Sequence, residues 1–178
     1  AATMRSLEIE RTIRGGGIEG SLLSVLQHCH TPMGRRTLRH WLCYPLCDKA
    51  AIEQRQDLVQ ALIDDSRFLE QLREALDNIQ DIQRITGRIA VGRATPRDLV
   101  ALGHSSTQVQ ALAALLDQRP SVATYHQQIA DIHDALAQLG GLITQTCVDE
   151  PPAHMRDGGL IRDGMDETLD ECRSLRAD

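Results

Sequence analysis

Residues 92–120 read GRATPRDLVALGHSSTQVQALAALLDQRP, and they contain the clearest helical signal in the chain. Thr95 is a good N-cap and Pro96 suits the first helical position, so the segment has a strong helix start. Leu, Ala and Val recur through the residues that follow, and Pro120 marks the end of the run. The pattern predicts one long helix over residues 98–118.

The composition favours helices in the rest of the chain as well. Hydrophobic residues make up 42% of the 178 residues and aromatic residues only 2%, while strand formers are scarce and Leu, Ala, Ile, Gln, Glu and Arg dominate. A chain of this length can form one domain with a hydrophobic core, or two small ones. We therefore predict an all-α fold of long helices that pack through aliphatic side chains.

Capping residues and apolar spacing place further helices on both sides of this segment. Ser21, Asp48 and Asp166 stand where N-caps are expected, and Pro32 suits a first turn. Apolar residues at three- and four-residue intervals predict two more helices, within residues 68–76 and 79–89. Another is expected over 121–147, where Gly140-Gly141 favours a kink.

Two short segments have the patterns of β-structure. Residues 7–13 alternate apolar and charged side chains, which predicts one short strand. Two Asp-Gly pairs, at 157–158 and 163–164, predict a small hairpin near residues 155–164 with Leu160 and Ile161 in one arm. We expect a helical core over residues 1–150, followed at 151–178 by this turn or hairpin and the start of another helix.

Charge and cysteine content limit the classes of function. The net charge of −6 has the wrong sign for a segment that mainly binds nucleic acid. No run approaches the roughly 20 apolar residues of a membrane span, and no signal peptide is recognisable, so we expect a cytoplasmic protein without a membrane partner. Five cysteines without a framework spacing suit a reducing compartment. Because the chain starts at Ala1 and stops within a predicted helix, we expect a fragment of something longer.

The glycines at residues 15–20 partly match two nucleotide-binding loops. Gly15-x-Gly17-x-x-Gly20 fits the dinucleotide fingerprint, but predicted helices rather than a second strand follow Ser21. The phosphate-binding loop pattern also fails, because no lysine precedes Ser21. A flexible loop is the favoured interpretation, and binding of ATP or NAD is the alternative.

Histidines and cysteines cluster between residues 28 and 47 without a metal-binding spacing. Neighbouring residues on a helix point in different directions, Pro45 interrupts the segment, and no Cys-x-x-Cys pair is present. No carboxylate pair or Ser-His-Asp grouping has supporting context either. We therefore predict no catalytic, cofactor-binding or metal-binding residue here. The residues weighed as ligands are His28, Cys29, His30, His40, Cys43 and Cys47.

Two groups of arginines are the candidate contact residues. The favoured interpretation is a solvated surface with ion pairs, since acidic residues such as Asp81 and Asp98 are close in sequence. The alternative is docking to another domain or to the DNA backbone. The candidates for such contacts are Arg35, Arg36 and Arg39 in the first group and Arg88, Arg93 and Arg97 in the second.

Three separated stretches together resemble the MutS family of DNA mismatch repair proteins. They are SLEIERTIRGGGIEGSLLSVLQHCHTPMGRRTLRHWLCYPL (6–46), GRIAVGRATPRDLVAL (87–102) and EPPAHMRDGGLIRDGMDETLDECRSL (150–175). The first is similar to the start of that family's core, and the last to the segment leading from the core toward the clamp. The motifs occur in order over nearly the whole chain, which makes the resemblance specific.

The resemblance implies a non-catalytic helical core, or lever, of a larger DNA-dependent ATPase. ATP and Mg are expected in an ATPase domain outside this chain, and the connector, clamp and ATPase domains are the expected partners. The parent is expected to bind mismatched duplex DNA as a homodimer, in the cytoplasm and at the nucleoid in a bacterium. Because the lever also takes helices from after the clamp, we expect the fragment to self-associate. The alternative is a stand-alone helical interaction module with a weak, nonspecific DNA-binding arginine surface.

Overall fold

The computed structural model describes residues 2–122, 127, 129, 130 and 132–177. Within these residues the regular secondary structure is helical and no strand forms, which confirms the all-α prediction. Short 3₁₀ turns occupy Pro120–Val122 and Met155–Asp157. In chain order the α-helices are α1 (Ala2–Ser6), α2 (Leu22–Leu26), α3 (Pro32–Cys43), α4 (Lys49–Asp64), α5 (Ser66–Asp77), α6 (Ile82–Ala90), α7 (Pro96–Asp117), α8 (His133–Thr146) and α9 (Glu167–Ala177).

The chain divides into two compact units, Ala1–Asp77 and Asn78–Asp178. The first contains α1 to α5, and the second contains α6 to α9. The predicted division into a core over residues 1–150 and a final segment over 151–178 is a different partition, based on the turn pattern of the sequence rather than on packing, and it stays a prediction.

Side-chain caps start the helices of the first unit where the sequence predicts them. Ser21 Oγ accepts a hydrogen bond from Ser24 N at 3.3 Å, and Asp48 Oδ1 accepts one from Ala51 N at 2.8 Å. The start at Pro32 is also confirmed, with the preceding threonine as the cap. These bonds satisfy backbone N–H groups that a helix start leaves without intrahelical partners.

Residues 7–13 form turns rather than the predicted strand. Glu8 has a φ of +49°, outside the extended region. The backbone carbonyls of Glu8 and Ile9 accept hydrogen bonds from Leu22 N and Leu23 N, at 3.1 and 2.9 Å. Because these carbonyls receive the first N–H groups of α2, the segment serves as a cap for that helix instead of pairing with a strand.

The second unit is built on α7, which begins with a complete capping box. Thr95 Oγ1 accepts from Asp98 N at 3.2 Å, and Asp98 Oδ2 accepts from Thr95 N at 2.9 Å. The predicted long helix is confirmed, with Pro96 in its first turn. Side chains of α6, α7 and α8 form the core of this unit. The buried members of that core are Ile85, Val100, Leu102, Ile143 and Cys147.

Helix α7 is also long and apolar enough, by length and composition, to cross a membrane. In that respect the expectation that no segment approaches a membrane span was wrong. The apolar character of α7 has a packing explanation, because the helix contacts both α6 and α8 and supplies many of the buried side chains of the second unit.

Of the helix predicted over residues 121–147, residues 127, 129 and 130 are helical and His133–Thr146 form α8. Residues 120–122 form a 3₁₀ turn instead of a helix start, and positions 123–126, 128 and 131 lie outside the described residues. Gly140 and Gly141 lie inside α8, which continues through both of them.

A single antiparallel bridge between Cys147 and Ile161 replaces the predicted hairpin near residues 155–164. Val148 N donates to Leu160 O at 2.9 Å, and Arg162 N donates to Thr146 O at 2.8 Å. The arm with Leu160 and Ile161 therefore pairs with the end of α8 and not with residues 155–157. This pairing places Leu160 against the core, where a hairpin standing apart would leave it in water.

Candidate functional site

The glycine-rich loop of the first unit is closed by its own backbone. Gly16 N donates to Thr12 O at 3.0 Å, and Thr12 N donates to Gly17 O at 2.9 Å. Gly16 and Gly20 have φ values of +64° and +86°, which glycine adopts without steric cost. In the described part of the chain no strand precedes this loop, and α2 after it has only five residues. The loop thus lacks the strand and long helix that the dinucleotide fingerprint requires.

The histidines and cysteines make pairwise contacts. His30 Nδ1 lies 2.6 Å from Asp77 Oδ1. The centre of the His40 ring lies 4.9 Å from the centre of the Tyr44 ring. Burial, followed by the nearby negative charge of Glu10, raises the pKa of the Cys43 thiol, which favours its protonated form. Among the described residues, no three His, Cys, Asp or Glu side chains come together in a way that could hold a metal ion.

The first group of candidate arginines lines one groove of the first unit, which we call the arginine groove. Arg39 forms an ion pair with Glu10, and Arg35 Nε donates to Cys29 O at 3.4 Å. The Arg39 guanidinium holds the pKa of the Glu10 carboxyl below its usual value. The polar lining consists of Glu10, Arg11, Gln27, Arg35, Arg36 and Arg39.

In the second group of candidate arginines, Arg88 makes a structural ion pair, whereas Arg93 and Arg97 are exposed. Arg88 Nε donates to Asp98 Oδ2 at 2.9 Å and Nη2 donates to Asp98 Oδ1, so α6 is fastened to the start of α7. Arg88 lowers the pKa of Asp98, as expected of a carboxylate that accepts charged donors. Arg93 and Arg97 are exposed, and their side chains have no hydrogen bond or ion pair within the described residues. Contacts of these arginines with other domains or with DNA stay predictions.

One contact that holds α9 was not predicted from the sequence, and we call it the Arg173 clasp. Arg173 Nη1 donates to Asp163 Oδ1 at 2.6 Å and to Asp170 Oδ1 at 3.3 Å. Its Nη2 donates to Ile161 O at 2.8 Å. The predicted N-cap is confirmed, since Asp166 Oδ1 accepts from Leu169 N at 2.9 Å. Part of the clasp could have been predicted from the sequence, because Asp170 and Arg173 are three residues apart, which is the spacing of a helical ion pair.

Comparison with known proteins identifies relatives over the whole chain. A family model described as MutS domain III matches residues 2–178. The chain is 42% identical over 173 residues to the DNA mismatch repair protein MutS of a Synechococcus species, covering 97% of this chain and 19% of that protein. It is 40% identical over 173 residues to MutS of Salinibacter ruber, with coverages of 97% and 19%. It is 39% identical over 178 residues to MutS of Halothermothrix orenii, with coverages of 100% and 20%. The chain thus spans about a fifth of the length of the curated relatives it matches.

Proposed function

This chain belongs to the MutS family of DNA mismatch repair proteins, as its domain III, and from that premise we propose that it is a lever. In this role it couples the ATPase state of the whole protein to the recognition and clamping of mismatched DNA. The segment itself is non-catalytic and acts by transmitting movement. Packed helices suit this task because their interfaces switch between discrete arrangements rather than deform continuously.

The observation that carries the proposal is a continuous series of contacts through the second unit. Helices α7 and α8 pack together, and the end of α8 is bridged at Cys147 to Ile161. The carbonyl of Ile161 is in turn held by Arg173 on α9. A displacement of α8 is therefore expected to move α9, which leads toward the clamp in the proposed architecture.

The proposed partners are the other parts of the same polypeptide. The connector, clamp and ATPase domains are expected outside this chain, with ATP and Mg bound in the last of these and mismatched duplex DNA bound by the whole protein. We place that protein in the cytoplasm as a homodimer. Exposed apolar side chains support self-association of the isolated chain, because they suit coverage by further helices. On α4 and α8 they are Val59, Ile63, Leu139 and Leu142.

The test is an Arg173→Ala substitution within a full-length MutS protein that carries this domain. Loss of the Arg173 clasp should leave ATP hydrolysis without DNA largely unchanged, since the ATPase domain is untouched. The change in hydrolysis on adding mismatched duplex should be reduced. Ser174→Ala is the matched control, because Ser174 bonds only locally to the Glu171 carbonyl among the described residues. A full mismatch response in the Arg173 variant would contradict the coupling role.

A weak, nonspecific DNA surface is the second candidate function, and it rests on Arg93 and Arg97. Both side chains are exposed in the second unit. Titration with duplex DNA at two salt concentrations tests it. Each phosphate contact adds about 0.9 to the steepness with which the logarithm of the binding constant falls against the logarithm of the salt concentration, which we call the salt slope. Replacing both arginines by alanine should reduce that slope by about 2. Binding that is absent, or insensitive to salt, would exclude this function.

A further inference from the structure

The first 47 residues carry the opposite charge from the remainder of the chain. Six arginines and three glutamates lie in this segment, which gives it a formal charge of +3 in a chain whose net charge is −6. Such separation of charge between parts of one chain is typical of an interaction surface. The residues are Arg5, Arg11, Arg14, Arg35, Arg36 and Arg39 against Glu8, Glu10 and Glu19.

Four of these six arginines line the arginine groove, and among the described lining residues Glu10 is the acidic one. Backbone carbonyls hold two of them in place, since Arg11 Nη1 donates to Gly16 O at 3.0 Å and Arg35 Nε donates to Cys29 O at 3.4 Å. A guanidinium has five N–H donors, so one such bond leaves others for a ligand. Side chains that are already held lose less conformational entropy when a ligand binds.

The groove already contains one bound carboxylate, that of Glu10 on Arg39. A guanidinium fork matches the two oxygens of a carboxylate, so the groove has groups suited to bind such an anion. The groove also has an apolar side, formed by Ile18 and Leu23. Ile18 is 48% exposed, so it offers an apolar surface that a ligand can cover.

We propose that the arginine groove binds an acidic, amphipathic segment of a partner protein. Carboxylates of that segment replace Glu10 on Arg39 and engage Arg36, and a neighbouring apolar side chain packs on Ile18. Duplex DNA fits less well, because its phosphate backbone offers no apolar side chain to cover Ile18. The proposal is independent of the lever role, which was argued from contacts in the second unit.

The experiment uses the whole chain and a short synthetic peptide in which Glu and Leu alternate, with binding measured by titration calorimetry. Arg36→Ala should weaken binding about tenfold, which corresponds to the loss of one charged hydrogen-bonded contact. Arg14→Ala is the matched control, because Arg14 belongs to the same basic segment but lies outside the groove lining. Its effect should stay within about twofold, as expected of a screened surface charge.

The Glu10→Gln variant tests whether the peptide binds in the arginine groove or is attracted only by the positive charge of the first 47 residues. Removing the internal carboxylate should tighten peptide binding about threefold, because the peptide no longer competes with Glu10 for Arg39. The fold of each variant is checked by urea unfolding followed through the fluorescence of Trp41, the only tryptophan of the chain. If Arg36→Ala does not fold, Arg35→Ala replaces it in the same titration.

Three results would overturn the proposal. Equal losses in the Arg36 and Arg14 variants would mean that only overall charge matters. Equal binding of a peptide with Gln in place of Glu would show that carboxylates are not recognised. Tighter binding of duplex DNA than of the peptide, lost in the Arg36 variant, would assign the groove to nucleic acid instead.

Discussion

The carbonyl oxygen of Gly103 on α7 lies 2.9 Å from the point where a Cβ atom on Gly140 of α8 would stand. A Cβ atom on Gly103 would stand 2.7 Å from Ile143 Cγ2. The two helices therefore touch almost backbone to backbone, and neither position has room for a side chain. This crossing lies on the proposed path of movement from α7 through α8 to α9.

Gly140→Ala should lower the free energy of unfolding by about 2 kcal/mol, because the added methyl group meets backbone atoms that cannot move aside. Urea unfolding followed by far-ultraviolet circular dichroism measures the change. Gly141→Ala is the matched control, since a Cβ at this position would have no atom within 4 Å. That control should be neutral or stabilise the chain by up to about 1 kcal/mol through helix propensity. Equal effects of the two substitutions would contradict the close crossing.

Asp98→Asn should destabilise the second unit, because Asp98 both pairs with Arg88 and completes the capping box with Thr95. The expected loss in unfolding free energy is about 1 to 2 kcal/mol. Glu150→Gln removes the same charge from an exposed side chain and serves as the control. A loss no greater than that of the control would show that the pair contributes nothing to stability.

The contribution of Asp98 should also depend on pH, with a sign fixed by its pKa. Arg88 depresses the pKa of folded Asp98 below its ordinary value of 3.8. The ionised carboxylate therefore adds its full stability above pH 3.8, and loses it as the pH falls through the lower folded pKa. The difference in stability between the wild type and Asp98→Asn should be constant near neutral pH and shrink in acid. A difference that grows in acid would contradict this assignment.

Helix starts could be predicted from the sequence because each depends on residues close together in the chain. Ser21, Thr95 and Asp166 all accept hydrogen bonds from N–H groups three residues later. The β-structure could not be predicted in the same way, because pairing depends on residues far apart. The pattern of residues 7–13 gave no indication that their carbonyls would cap α2, and Ile161 pairs with the end of α8 instead of a nearby turn.

The contacts that arginines make within the chain were predicted only in part, for the same reason. The ion pair of Arg88 with Asp98 agrees with the favoured interpretation of a salt-bridged surface, since the two residues are near in sequence. The Arg173 clasp was missed because one of its acceptors is the carbonyl of Ile161, whose position is fixed by the bridge to Cys147. A sequence pattern records side-chain charges, but it does not show where a backbone carbonyl will lie.

The contact of Arg55 with Trp41 gives the first unit a spectroscopic reporter. The guanidinium carbon of Arg55 lies 3.7 Å from the centre of the Trp41 ring. Arg55→Ala should change the tryptophan emission and lower the unfolding free energy by about 0.5 to 1 kcal/mol, the range of a partly exposed cation–π contact. Arg67→Ala, at an exposed position on α5, is the control and should leave the emission unchanged. Identical spectra of the wild type and the Arg55 variant would exclude the contact in solution.

The Arg173 clasp makes a prediction for the isolated chain that needs no DNA or ATP. Arg173→Ala should increase amide hydrogen exchange in α9 about tenfold, because the helix loses its charged hydrogen bonds to Asp163 and to the carbonyl of Ile161. Alanine is the better helix former, so weaker helix propensity cannot account for faster exchange. Ser174→Ala should leave exchange in α9 near the wild-type rate. If the two variants exchange equally, α9 is held by its own helical bonds, and the proposed path of movement ends at Ile161.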